Sequence, residues 1–355
     1  MKPEFKIDAD AIRADAEAAL NSSDSTGKIE DAEFNSLFKL QTANRWLDEA
    51  KTRPIPKMLF GEFWFENEIC ILFADTNVGK SILAVQIADS ISRGVSIDGI
   101  PTEAEAQTVI YFDFELSDKQ FEARYSEKYG NETFFSNHYR FDDYLVRAEI
   151  DPDSDIEHGF ETFEDYLNFS LKHTIAETEA KVLVIDNLTY LKSETERAKD
   201  ALPLMKYLKE LKRKFGLSIL ALAHTPKRDL SKPITRNDLS GSKMLINFCD
   251  SSFAIGESSK DKGLRYLKQI KVRNAEIKFD TDNVYLCQIQ KPTNLLHFEF
   301  LDFGKERDHL RDLSEADKGA LIERAKELSA EGRTQREISY EIGVSLGAVN
   351  KYLKT

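Results

Sequence analysis

The residues of this chain best suited to chemistry lie in one short run, Ala74-Asp75-Thr76-Asn77-Val78-Gly79-Lys80-Ser81. The run follows an apolar stretch, ICILF at 69–73, and precedes a helix-patterned one, SILAVQIADSISRG. A strand, a turn rich in backbone N–H groups and a helix N-terminus together make an anion cradle, so this order suits a phosphate-binding loop. In such a loop the Lys80 ammonium reaches the β and γ oxygens of a nucleotide, and the Ser81 hydroxyl ligates Mg²⁺. The pattern G-x-x-x-x-G-K-[ST] is met except at its first position, where Ala74 stands. That position mostly shapes the turn, whereas Gly79, nearer the phosphates, is kept.

Two further acids are needed, one for the metal and one for the attacking water. Asp186 ends the apolar run VLVID, where an acid can hold the Mg²⁺ shell or, more plainly, cap a helix or a turn. Glu115 ends the run beginning VIYFDFE and is the expected base, with Asp113, two residues earlier, as its rival. A carboxylate at the C-terminal edge of a parallel sheet faces the crevice where ligands bind in such folds. Either could equally be a surface acid in a chain that has 62 of them.

The elements that must position these residues are legible as alternating segments. ICILF (69–73), VIYFDF (109–114), VLVID (182–186) and ILALA (219–223) are short and almost wholly apolar, as strands buried on both faces of a parallel sheet are. After Asp250 the spacing predicts shorter strands near 252–256, 265–271, 276–280, 284–289 and 296–301, an antiparallel extension of the sheet edge. The fold class expected is therefore α/β, a mostly parallel central sheet with an antiparallel edge and a small all-α tail. Residues 1–40 read as a mobile lead-in, 41–304 as the core domain and 305–355 as the tail. A short amphipathic helix is expected near 41–50, ended by Pro54 and Pro56. The acidic segment 141–165 carries Asp151, Asp153 and Asp155, but Ile156 and Thr162 stand where a calcium loop needs Gly and Glu, so it reads as a solvated surface insertion.

The chain has 355 residues and a net charge of 49 − 62 = −13, which excludes a surface basic throughout but not a basic channel within an acidic assembly. Cys70, Cys249 and Cys287 have no metal-site spacing, and a reducing compartment is expected. No apolar run approaches a membrane span and the N-terminus is charged throughout, so a cytoplasmic protein without membrane contact is the expectation.

The run FDFELSDKQFEARY is similar to the stretch of DnaB-type replicative helicases in which a catalytic Glu is followed by Ser, Gln and Arg; here these are Glu115, Ser117, Gln120 and Arg124. KPITRNDLSGSKMLINFCDSSFAI resembles the loop that follows the sensor in that family, and IKVRNAE resembles its Lys-x-Arg-Asn finger. The strand ILALAHTPK ends in His224, where relatives keep a polar sensor. Over about residues 40–300 the chain thus resembles RecA-like ATPases of the DnaB and RepA hexameric helicase class. The resemblance implies ATP and Mg²⁺, a ring that is usually a hexamer, and Lys271 and Arg273 acting on the neighbour's γ-phosphate. It implies that Arg124 binds the nucleotide and that the 41–50 helix docks on a neighbouring subunit. It also implies a channel loop for single-stranded DNA carrying Lys227, Arg228, Lys232 and Arg236; a basic loop suits backbone tracking, although it lacks an aromatic for stacking. The residues alone leave KQIKVR equally readable as a Lys-studded edge strand. Residues 1–50 are too short for the family's primase-coupling domain, which points away from a replicative role and toward a plasmid or mobile element.

The tail GRTQREISYEIGVSLGAVNKYLKT has a helix-turn-helix rhythm. Ile338 and Ile342 lie one helical turn apart, Gly343 permits a tight turn, and Ser345 can cap a second helix that turns Val349 and Leu353 inward. Asn350, Lys351 and Lys354 then face outward, as on a helix that reads duplex DNA. The ten basic and ten acidic residues of 305–355 equally allow a docking module. The expectation is an oligomeric helicase or translocase, or alternatively an ATP-switched DNA-binding regulator.

Overall fold

The computed structural model describes residues 38–151, 159–191, 198–226, 228–239, 243–273, 275–312 and 315–355. The chain divides into two units, 1–55 and 56–355. The first contains helix α1 (Ala43–Ala50), whose Thr42 hydroxyl caps it by accepting from the Arg45 N–H and which has no buried residue.

The second unit is built on a nine-stranded sheet. Its strands are β3 (Ile69–Ala74), β4 (Val109–Asp113), β5 (Leu145–Ala148), β6 (Val182–Asp186), β7 (Ser218–His224), β8 (Ser251–Glu257), β9 (Leu264–Lys271), β10 (Val284–Gln290) and β11 (His297–Gly304). A small hairpin, β1 (Met58–Phe60) with β2 (Trp64–Phe65), precedes them. The order across the sheet is β11-β10-β9-β8-β3-β7-β6-β4-β5. From β8 to β5 every pairing is parallel, and from β8 to β11 every pairing is antiparallel.

The apolar runs are continuous because both faces are covered. Cys70, Leu72, Tyr111 and Val184 pack with Leu83, Ile87 and Ile91 of α2 (Lys80–Arg93) on one face. Ile71, Phe73, Ile110 and Ile185 pack on the other against α4 (Phe163–Thr178) and α5 (Ala198–Phe215), after the short α3 (Asp118–Arg124). The remaining helices are α6 (Lys243–Phe248), and α7 (Glu315–Ala330), α8 (Gln335–Ile342) and α9 (Leu346–Tyr352) at the C-terminus.

The fold class is as expected, an α/β core with a mostly parallel central sheet and an antiparallel extension, with four local corrections. The strand expected at 252–256 is β8, which pairs parallel with β3 and so belongs to the central sheet. Residues 276–280 form no strand; the Gln269 side-chain oxygen accepts the N–H groups of Lys278 and Phe279, satisfying that backbone without a ladder. Strand β9 is flanked on both sides, so the run ending at Lys271 is not an edge strand. The 141–165 segment is no mere insertion, since it supplies edge strand β5 and starts α4; Asp153, Asp155 and Ile156 lie outside the described residues.

The core also runs past residue 304. Glu306, fully buried, accepts from the Ile234 N–H at 2.6 Å and pairs with Lys268 Nζ at 2.5 Å. His309 bonds Ser258 Oγ at 3.0 Å. Beyond it, Ala325 and Leu328 of α7, Ile338 and Ile342 of α8 and Val349 of α9 form a separate apolar cluster. Thr334 and Glu337 make a capping box on α8, Ser345 caps α9, and Gly343 turns the chain between them at φ 66°, which glycine adopts without strain. No helix among the described residues is long and apolar enough to cross a membrane.

Candidate nucleotide site

The site sits where β3 has β7 on one side and β8 on the other, beyond the C-terminal ends of the parallel strands. There the crossover connections diverge, leaving the crevice in which open α/β sheets bind ligands. A cleft of ≈ 200 Å³ opens there, lined by the loop from Thr76 to Gly79, the first turn of α2, and Glu115, Arg124 and His224.

The loop follows from its sequence. Ala74 is the last residue of β3, in register with His224 and Ile255, and its methyl joins the core. An extended backbone needs no glycine, so the departure from the motif is harmless at this position. Gly79 is the opposite case. It has φ 109°, and a Cβ there would lie 2.7 Å from Ile289 Cδ1 and 2.8 Å from Phe298 Cζ. Asp75 lies beside Ala74 and binds Thr225 Oγ and, at 3.1 Å, Arg228 Nε. Asn77 takes a left-handed turn at φ 64°, which Asn tolerates, and Val78 is buried.

Lys80 opens α2 and is 8% exposed. Its ammonium donates to the carbonyls of Ala74 at 3.0 Å and Asp75 at 3.1 Å and to His224 Nδ1 at 3.1 Å. Burial lowers its pKa, against the pull of Asp186, Glu115 and Asp75. An ammonium has only donors, so Nδ1 must accept and the imidazole proton sits on Nε2. From there it donates to Glu115 Oε1 at 3.3 Å. The same oxygen accepts from Asn187 Nδ2 at 2.9 Å. The His224 contact, helped by the Asn187 bond, holds the Glu115 carboxyl down at about 2 against its half-burial, which raises it.

Asp113 does other work. It is buried, pairs with Arg147 Nε at 2.9 Å and accepts the N–H groups of Glu115 and Leu116, so it shapes the turn that aims Glu115 into the cleft. Ser117 and Gln120 form a capping box that starts α3, and α3 brings Arg124 to the cleft wall with its Nη1 buried and unpartnered.

Asp186 ends β6 beside Asp113 in register. Burial pushes its carboxyl up to about 6, against hydrogen bonds from Ser81 and from Tyr111, whose hydroxyl lies at 2.6 Å. A hydroxyl and a carboxylate in contact are the hard oxygen donors that Mg²⁺ takes alongside phosphate oxygens and water, so the residues fit that ion.

The other expected residues are elsewhere. Lys271 Nζ donates to the carbonyls of Ile246, Asn247 and Cys249 and so closes the end of α6. Arg273 pairs with Asp250 at 2.9 Å, and neither cation lines the cleft of its own chain. Of the loop cations, Arg228 is turned inward onto Asp75 with 5% of its side chain exposed, whereas Lys232 and Arg236 are exposed. Lys227, Ser240, Gly241 and Ser242 lie outside the described residues. Asn350, Lys351 and Lys354 are all exposed on or just beyond α9. Asn187 was not expected from the sequence; the signal available was its place one residue past the strand-end acid.

Residues 35–229, more than half of the chain, match the model of the AAA domain family. Among solved structures, a KaiC-like protein from the hyperthermophilic archaeon Pyrococcus horikoshii OT3 is similar at 13% identity and a TM-score of 0.45, covering 66% of this chain and 91% of that one. No curated protein matches. With a phosphate loop at the switch point of the sheet, and a family match that spans the loop and both site acids, this chain belongs to the AAA domain family of P-loop ATPases.

Proposed function

We propose that the chain is an ATP-hydrolysing, DNA-associated motor that works as an oligomeric ring, most simply a hexamer, as a helicase or translocase of a plasmid or mobile element. The observation that carries the ATPase part is the single cleft in which Lys80, His224, Glu115 and Asn187 are joined by hydrogen bonds, beside the touching pair Ser81 and Asp186. ATP phosphates entering the cleft meet the N–H groups at the start of α2. The Lys80 ammonium exchanges the Ala74 and Asp75 carbonyls for β and γ oxygens, and Arg124 offers its unpartnered Nη1. Ser81 and Asp186 would hold Mg²⁺, which when bound neutralises phosphate charge.

Glu115, ionised at any working pH, accepts a hydrogen bond from the water that attacks the γ-phosphorus. The new P–O bond forms as the bond to the β–γ bridging oxygen breaks; ADP leaves, and the water's proton passes to the released phosphate. Asn187 and His224 hold Glu115 in place. The His224 Nδ1 site is freed when phosphate draws Lys80 away, which suits a sensor of nucleotide state.

The assembly and DNA parts rest on placement. Arg273 is half exposed and away from its own cleft, which suits a role on the neighbour's nucleotide, while Lys271 braces the turn beneath it. Helix α1 exposes Trp46 and Leu47 and is the candidate docking element. Exposed Lys232 and Arg236 are the candidate contacts to single-stranded DNA phosphates, and Asn350, Lys351 and Lys354 those to duplex DNA.

A second reading, an ATP-switched DNA-binding regulator, is favoured by the contact of the Lys232 side chain with Gly343 at the α8–α9 turn, which joins the loop to the tail. Phosphate release with and without single-stranded DNA, combined with mass by light scattering, separates the two. Turnover stimulated by DNA in a multimer is the result expected, with Lys80→Ala failing to bind nucleotide. Slow, unstimulated turnover would favour the switch.

A further inference from the structure

We propose that Asp250 is the positioning residue for Arg273, tying the guanidinium offered to a neighbouring subunit to the foot of the strand that carries this subunit's own phosphate loop. The inference rests on the shared-site reading above and adds to it how the donated group is held.

Asp250 lies between α6 and β8, and its side chain is 10% exposed. Its two oxygens collect donors from three different elements. Oδ2 accepts the backbone N–H of Ile69, the first residue of β3, at 3.0 Å, and the ammonium of Lys212 on α5 at 2.7 Å. Oδ1 accepts Arg273 Nη1 at 2.9 Å. The Arg273 side chain itself is 50% exposed. A bond from one terminal nitrogen fixes where the guanidinium sits and leaves its other edge, which a phosphate would engage, facing outward.

The placement along the sheet gives this arrangement a direction. Lys271, at the end of β9, is in register with Ser252, and Ser251 is in register with Cys70. Asp250 and Arg273 therefore lie at the foot of β3, whereas the phosphate loop leaves its far end. Six residues of strand separate the two by ~20 Å at about 3.3 Å per residue. Arg273 cannot serve its own cleft across that distance, but through Asp250 it is bonded to the backbone of the strand that feeds that cleft. Lys271 makes the turn rigid by capping the carbonyls of Ile246, Asn247 and Cys249 immediately before Asp250.

The test is a double-mutant cycle in the full chain, reading kcat and KM for ATP, the melting temperature and the oligomer mass. Asp250→Asn keeps an acceptor for the Ile69 N–H and removes the charge that holds Arg273. It is expected to lower kcat by about ten- to a hundredfold, the rate equivalent of one charge-assisted hydrogen bond, with KM unchanged. In an Arg273→Ala background the same substitution should lower kcat no further. Asp250→Glu, which keeps the charge and shifts it by one methylene, should lower kcat in the wild-type background and no further in Arg273→Ala, so the test survives if the Asn variant does not fold.

An equal loss with and without Arg273 would assign Asp250 a purely structural role and overturn the proposal. A rise in kcat would mean that Asp250 restrains Arg273 rather than presenting it, and would also overturn it. Full activity of Arg273→Ala alone would fail the shared-site reading itself, a result read from the single variant and independent of Asp250.

Discussion

Glu115 and Asp113 stand two residues apart at the end of one strand, and their surroundings divide the work between them. Asp113 is closed off by Arg147 and two backbone N–H groups, while Glu115 keeps 35% of its side chain exposed in the cleft. Glu115→Gln should therefore leave ATP binding intact and lower turnover by roughly 10²–10⁴-fold, the range for a lost general base. Phosphate release and a fluorescent-nucleotide titration check this, and a wild-type rate would move the role to another acid. The pKa of about 2, below the ordinary 4.5, also sets a stability signature. A carboxyl depressed in the folded state contributes stability that is fully present above 4.5 and lost as pH falls toward 2. The stability gap between wild type and Glu115→Gln, from urea melts at pH 7 and pH 3, should narrow at the lower pH; a constant gap would contradict the depressed pKa. That Lys80, Ser81, Asp186 and Glu115 gather at neighbouring strand ends was legible because the motif spacing puts each just past an apolar run. Asn187 was not, because an amide that holds a carboxylate in place follows no spacing rule.

At the scale of elements, the strands were legible where they are buried on both faces, since ICILF and VLVID permit little else. They were misread where side chains replace ladder bonds, as Gln269 does for 278–279, and where a short, half-buried strand such as β5, LVRA, lies inside an acidic stretch that reads as surface. The contacts made past residue 304 were hidden for a similar reason: Glu306 reads as solvated in sequence but pairs with the buried Lys268. Two truncations test this. Removing residues 315–355 should leave the ATPase unit's melting temperature and turnover unchanged while weakening duplex DNA binding. Removing 306–355 strands Lys268 without its acid, and breaking a buried pair in this way costs about 3–5 kcal/mol. Equal melting temperatures for the two truncations would show that the Lys268–Glu306 pair contributes nothing.

At the scale of the whole molecule, the shared-site proposal rests on the sheet holding the cleft and Arg273 at opposite ends. The phosphate loop, Ser81, Asp186 and Glu115 gather at the C-terminal ends of the parallel strands, while Arg273 sits with Asp250 at the opposite end. The sequence suggested a trans role for Arg273 only through the order of motifs, because no local pattern distinguishes a guanidinium meant for its own chain from one meant for the next. A guanidinium donated in trans is worth about 10³–10⁵ in rate, since it meets charge that develops only in the transition state. The most direct test is to mix two inactive variants and measure ATP turnover. Arg273→Ala has an intact phosphate loop and no finger, and Lys80→Ala has a finger and no working loop. The shared-site account predicts that each alone binds or hydrolyses poorly in its own way, Arg273→Ala retaining ATP binding, and that the mixture recovers part of the wild-type rate. No recovery from a mixture proven to co-assemble, or full activity in Arg273→Ala alone, would contradict it.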